Sequence, residues 1–132
     1  MVALLGVAMA LSISGCTSTP GGVVPTQDAQ GRYVINMTSN LTFEPKEAKI
    51  PLGATVVWRN VSNVTHDVNG YKGTVGGDDK PVFSSSLPAP YGAGRILHPG
   101  DEFVHTFNDG GLFTVWCHTH HEQGMKGTIS VG

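Results

Sequence analysis

Charge is scarce in this chain, and what there is nearly cancels. Asp, Glu, Lys and Arg make up 14% of the residues, with a formal net charge of -2. No basic stripe is present, so nucleic acid and other polyanions are excluded as general partners. The uncharged apolar run at residues 2–13 is too short for a comfortable membrane span. No segment reads as a long helix. Cysteine is limited to Cys16 and Cys117. Glycine and proline, in contrast, are plentiful, at 18 and 8. Together with many short apolar runs they favour an all-β domain rich in turns. At 132 residues, the length fits one domain with a tail and a modest core.

The run at 2–13 has the length of a signal-peptide h-region, although no Lys or Arg precedes it. Ile13-Ser-Gly-Cys16 follows and resembles the lipobox of prokaryotic lipoproteins. That resemblance implies cleavage before Cys16 and a lipid on its sulfur. The alternatives are a plain signal peptide with an unmodified Cys, or an uncleaved anchor. From Thr17 to Gly31 the chain is rich in Thr, Ser, Pro, Gly and Gln and reads as a flexible tether. The expected division is a signal peptide at 1–15, a lipidated Cys and tether at 16–31, and a folded domain at 32–132.

Tyr33, Ile35 and Met37 alternate with polar residues, as a half-buried strand does. Asn40–Phe43 is a second extended piece, and Glu47–Ile50 leads into the turn Pro51-Leu-Gly53. Ala54–Asn60 is the clearest strand, β-branched and aromatic, with Trp58 read as a core residue. A short strand carries His66 to Val68. Residues 69–97 read as irregular, with Asp78-Asp79 as a solvated turn or a docking patch and Ser84-Ser-Ser86 without a role. Glu102–Phe107 places Phe103, His105 and Phe107 on one face. Asn108-Asp-Gly-Gly111 reads as a hairpin turn. Gly111–Cys117 and Lys126–Val131 close a domain of about eight strands.

The chemistry concentrates in Phe113–Gly127. Cys117, His120 and Met125 supply a thiolate, an imidazole and a thioether. That donor set suits copper better than a hard cation, and two His, one Cys and a long axial Met define a blue-copper electron-transfer site. The remaining imidazole must come from elsewhere, and His66 in Val64-Thr-His-Asp-Val68 is available. A Cys117 left unpaired in an exported domain also needs an explanation, which metal ligation provides. A Cys16–Cys117 disulfide would have to reach from the tether to this loop.

Cys117-x-x-His120 with Gly124-Met-Lys-Gly127 resembles the copper loop of the plastocyanin, pseudoazurin and halocyanin group of cupredoxins. Phe43-Glu-Pro45, Val56-Val-Trp58 and His66 fall in the same order, so the resemblance runs from about Tyr33 to Val131. It implies a Greek-key β-sandwich holding one copper through His66, Cys117, His120 and Met125, with the His120 edge as the electron port. Two residues depart from the pattern. Asp67 stands where many relatives have Asn, and an ionised carboxylate only accepts hydrogen bonds. Thr119 replaces a Pro that often precedes the second His. His118 and His121 read as exposed histidines, the alternative being an added metal or docking contact. His98 and His105 read as surface or strand histidines.

The resulting expectation is a monomeric, non-enzymatic type 1 copper protein. It would pass single electrons from a membrane oxidoreductase to an oxidase or reductase. Its place would be outside the cytoplasmic membrane or in the periplasm, held by lipid. The alternatives are an open-site cupredoxin acting on a small nitrogen oxide, and a copper storage or delivery protein.

Overall fold

Period-2 alternation builds the core from both sides. In the first strand Ile35 and Met37 are buried, and in the last Gly127, Ile129 and Val131 are. The computed structural model describes residues 22–73 and 80–132. Among these, nine strands follow one another: β1 (Tyr33–Met37), β2 (Phe43–Glu44), β3 (Glu47–Ile50), β4 (Thr55–Asn60), β5 (Asn69–Lys72), β6 (Phe83–Ser84), β7 (Glu102–Thr106), β8 (Gly111–Trp116) and β9 (Lys126–Val131). Their one helical element is a 3-10 turn at His121–Gln123. No described helix is long and apolar enough to cross a membrane.

The strands form two mixed sheets, ordered β2-β1-β4-β7 and β3-β9-β8-β5-β6. Parallel pairs β1–β4 and β3–β9 sit beside antiparallel neighbours. The expected all-β Greek-key sandwich is what forms. Trp58 is fully buried, as expected, with Phe83, Phe103 and Phe107 around its ring at centroid distances of 5.5, 5.7 and 6.3 Å. A side chain of this size contributes several times more by burial than one methylene, which is worth about 0.8 kcal/mol. Phe103 and Phe107 are buried and His105 is half-buried beside them, while Val104 and Thr106 are exposed. The predicted face of β7 is therefore the inward one.

Several expectations change. The extended piece expected at Asn40–Phe43 begins as a turn, with Leu41 at φ 59°, and β2 starts only at Phe43. The stretch read as irregular contains β5 and β6. Asn and Gly are poor strand formers, but β5 is paired on both sides, to β8 and to β6. Pairing overrides propensity here. Gly70 is also required by packing, since a Cβ there would lie 2.0 Å from the Phe83 ring.

Asn108–Gly111 is not a hairpin. It takes the chain from β7 in one sheet to β8 in the other. The end of β7 is held instead by the 51–54 turn, through Gly53 N–H to Phe107 O and Phe107 N–H to Ala54 O.

The segment read as the far end of a tether is built into the domain. Val23 N–H donates to Glu47 O and Lys49 N–H to Val23 O, along the free edge of β3. Val34 N–H then donates to Thr26 O beside β1. Asp28 pairs with Arg32 and Arg59 at 2.8 and 3.1 Å. Composition argued for flexibility, but an exposed sheet edge offers backbone partners to any extended segment that reaches it. The expected signal peptide and Cys16 lie outside the described residues, as does Asp78-Asp79.

Candidate metal centre

Two stretches far apart in sequence meet at one end of the sandwich. The first leaves β4 through a loop tied by Asn60. Its Nδ2 donates to Val64 O and Leu97 O, and its Oδ1 accepts from the Ser62 amide and hydroxyl. This sets the entry to His66, whose backbone forms an isolated two-way bridge with Leu97. The expected strand to Val68 reduces to that bridge.

The second stretch is the end of β8 and the loop after it. Strand alternation points Phe113, Val115 and Cys117 inward, and Cys117 is fully buried. Cys117 N–H donates to Met125 O at 3.1 Å, closing the loop at its base. Inside it the 3-10 turn follows His120, and Gly124 ends the turn at φ 77°. A left-handed residue is cheapest as glycine. Met125 is 1% exposed and packs in the same core cluster as Cys117.

His66, Cys117 and His120 converge. Their ligand atoms all lie within 4.8 Å of one another, the only such group of three His, Cys, Asp or Glu among the described residues. Cys117 Sγ is 3.7 Å from His66 Nδ1 and 3.6 Å from His120 Nδ1. A first-row ion bound at about 2.3 Å to sulfur and 2.0–2.1 Å to nitrogen would place S and N roughly 3.5 Å apart at a tetrahedral angle and 3.8 Å apart at a trigonal one. The observed spacings lie between these values. The residues fit a type 1 copper site: a buried thiolate donor between two imidazoles, with a buried thioether in the same loop.

Protonation is consistent with this geometry. Burial, and then the neighbouring His120, hold His66 below its ordinary pKa, so it is neutral near pH 7. Its Nε2 lies 3.2 Å from Thr38 O, a pure acceptor, so the proton sits on Nε2. The Nδ1 lone pair is thereby turned toward the Cys117 sulfur. Burial pushes the Cys117 thiol up to about 11. A bound cation must displace that proton.

Asp67 is 3% exposed. Burial alone would raise its pKa. The Asn69 amide, the Thr119 N–H, the Cys117 thiol and the Ser86 hydroxyl together hold it below the ordinary value instead. Thr119 N–H and Oγ1–H donate to Oδ1 at 3.2 and 3.4 Å, while Asn69 Nδ2 and Ser86 Oγ donate to Oδ2 at 2.8 and 3.1 Å. The two departures from the family pattern thus meet each other. Thr119 brings donors that a Pro lacks, and the carboxylate accepts them.

His118 and His121 are exposed and lie outside the cluster. The His118 Nε2 is 2.8 Å from Tyr71 Oη, and the His121 ring lies 4.5 Å from that of Trp116. His98 is exposed, with its backbone N–H on Asp101. Sequence reasoning missed Thr38, Asn69, Ser84 and Ser86. None belongs to a motif, and their spacing from the ligands carries no local signal.

Comparison with known proteins agrees with this reading. The family of copper binding proteins, plastocyanin/azurin family, matches residues 29–132. Plastocyanin of Scenedesmus fuscus is 30% identical over 91 residues, covering 69% of this chain and 87% of that protein. Among solved structures, a purple cupredoxin from Nitrosopumilus maritimus superposes with a TM-score of 0.58 at 24% identity, over 75% of this chain and 98% of that one. Auracyanin from Roseiflexus castenholzii gives 0.56 at 22% identity, over 75% and 94%. These structural likenesses speak for the fold. With the family match spanning most of the sequence, the chain belongs to the plastocyanin/azurin family of copper-binding proteins.

Proposed function

We propose that this protein is a one-electron carrier, with copper held by His66, Cys117 and His120 and capped by Met125. The observation that carries the reading is the Cys117 sulfur flanked by two imidazole nitrogens at 3.6 and 3.7 Å. Bound copper supplies a one-electron couple between its cuprous and cupric forms. The chain supplies a fixed cage. His66 is held by its bridge to Leu97 and by Thr38, and Cys117 by β8 and Met125. Little has to move when charge changes. His120 alone of the four is not fully buried, so its ring is the natural edge for electron exchange.

Met125 favours a carrier over the open-site enzyme. Its side chain is packed in the core and its backbone is bonded to Cys117, so the position is not free for a small substrate. Storage or delivery of cuprous copper would call for several soft ligands, and this loop offers one thiol and one thioether. The donor would be a membrane oxidoreductase and the acceptor an oxidase or reductase. Lipid on Cys16 would keep the domain at the outer face of the membrane. Fractionation of Cys16→Ser tests that anchor: release from membranes is expected, and retention equal to the parent would refute lipidation.

The central test is Cys117→Ser. The copper-loaded parent should show an intense sulfur-to-copper charge-transfer band in the visible. The variant should lose band and electron transfer but stay folded, keeping at most an ordinary tetragonal copper spectrum through His66 and His120. A parent that never colours, or a coloured variant, would sink the reading.

A further inference from the structure

The serine run that starts at the end of β6 supplies one hydroxyl, that of Ser86, to Asp67, and the hydroxyl of Ser84 stands behind it. Ser84 is fully buried, Asn69 is 1% exposed and Asp67 3%. Ser84 Oγ accepts the Leu87 N–H at 3.1 Å and donates to Asn69 Oδ1 at 2.6 Å. That bond fixes which way the Asn69 amide faces. With Oδ1 turned to Ser84, Nδ2 meets Asp67 Oδ2 at 2.8 Å. Ser86 Oγ reaches the same carboxylate oxygen at 3.1 Å. The other oxygen holds Thr119 N–H, directly before His120 in the ligand loop. The protons in this relay converge on Asp67, from Ser84, Asn69 and Ser86 on one side and from Thr119 on the other. Turning the Asn69 amide over would set its Oδ1 against the carboxylate, acceptor against acceptor.

We infer that Ser84, Ser86 and Asn69 are positioning residues for the copper ligands, acting through Asp67 on the Thr119 amide. This rests on the copper reading only for its spectroscopic consequences. The hold on Thr119 exists without metal. Asp67 is a negative charge next to a ligand, spread over four donors. Removing a donor leaves that charge less compensated beside the site. The cupric form is then favoured and the reduction potential falls. Thr119 also gains freedom, which changes the angle between the Cys117 and His120 donors.

The experiment compares Ser86→Ala and Ser84→Ala with Thr114→Val. The last also loses one well-shielded hydroxyl bond, to Gly73 O at 2.7 Å, but does not touch the relay. Hydrogen exchange of the Thr119 amide is read in the metal-free protein. It should speed up roughly tenfold in both serine variants, the effect of weakening one hydrogen bond to a charged group, and stay at the parent rate in Thr114→Val. In copper-loaded protein both serine variants should show a lowered potential and altered relative charge-transfer intensities, and Ser86→Thr should restore them. Exchange and potential unchanged in Ser86→Ala would overturn the inference. Should Ser84→Ala fail to fold, the half-buried Ser86 position decides by the same readouts. A parent that binds copper without colour would refute the carrier reading, and Thr119 exchange would still decide this one.

Discussion

Asp67→Asn probes the join between the two ligand-bearing stretches. The groups bonded to the carboxylate are donors: Thr119 N–H and Oγ1–H on one oxygen, Asn69 and Ser86 on the other, with the Cys117 thiol beside them in metal-free protein. An asparagine replaces one oxygen with an NH2, which must face donors whichever way it is turned. Ser84 fixes the Asn69 amide, so the favourable choice keeps the oxygen toward Asn69 and Ser86 and sets the NH2 against Thr119. Thr119 is exposed, and water can take its N–H. The loss is therefore about one hydrogen bond to a charged group, on the order of 2 kcal/mol. Relief of carboxylate burial does not cancel it, because the folded protein holds Asp67 below its ordinary pKa despite that burial.

For a domain of this size the thermal midpoint of the metal-free protein should drop by roughly 10 °C. Thermal melts at pH 7 followed by circular dichroism measure this. In copper-loaded protein the same change removes a negative charge near the metal, so the reduction potential should rise. A variant as stable as the parent, with Thr119 exchange unchanged, would show that the carboxylate does not brace the loop. A potential that fell or stayed put would show that its charge is not felt at the site.

Met125→Leu should keep copper and colour while raising the potential, since a weak donor to cupric copper is replaced by a methyl group. Voltammetry checks this, and an unchanged potential would mean that Met125 is not coordinated. His105 gives a pH test away from the metal. Its ring stacks on Phe83 at 4.1 Å and meets Phe107 edge-on at 4.8 Å, and burial holds its pKa below the ordinary 6.5. Val56 lies opposite it on β4. The unfolded chain takes up this proton first as pH falls, so stability should be level above about pH 6.5 and decline below it until the folded ring also protonates. His66 acts in the same sense in metal-free protein. The quantity to measure is therefore the difference between parent and His105→Gln in denaturant unfolding, and parallel pH profiles would refute the assignment.

Cys117, His120 and Met125 were legible because they are local: one loop, one spacing, three donor types that suit one metal. His66 followed as the imidazole still needed upstream. The inward face of β7 and the burial of Trp58 were legible because a strand exposes its period directly. Neighbours in space were not. Asn108–Gly111 announces a reversal, but only the packing of β7 on β4 and of β8 on β5 and β9 makes it a passage between sheets. Asn69 and Gly70 look like loop residues until strands from elsewhere flank them. Residues 22–31 look like a tether until the edges of β3 and β1 accept them.

Asp67 shows the division most clearly. The sequence said that it could only accept hydrogen bonds. That the donors are Thr119, 52 residues away, and Ser86, 19 residues away, was decided by the fold. Donor chemistry belongs to a side chain and is carried in the sequence. The partner it meets depends on how distant segments are brought together, and tertiary structure alone determines that.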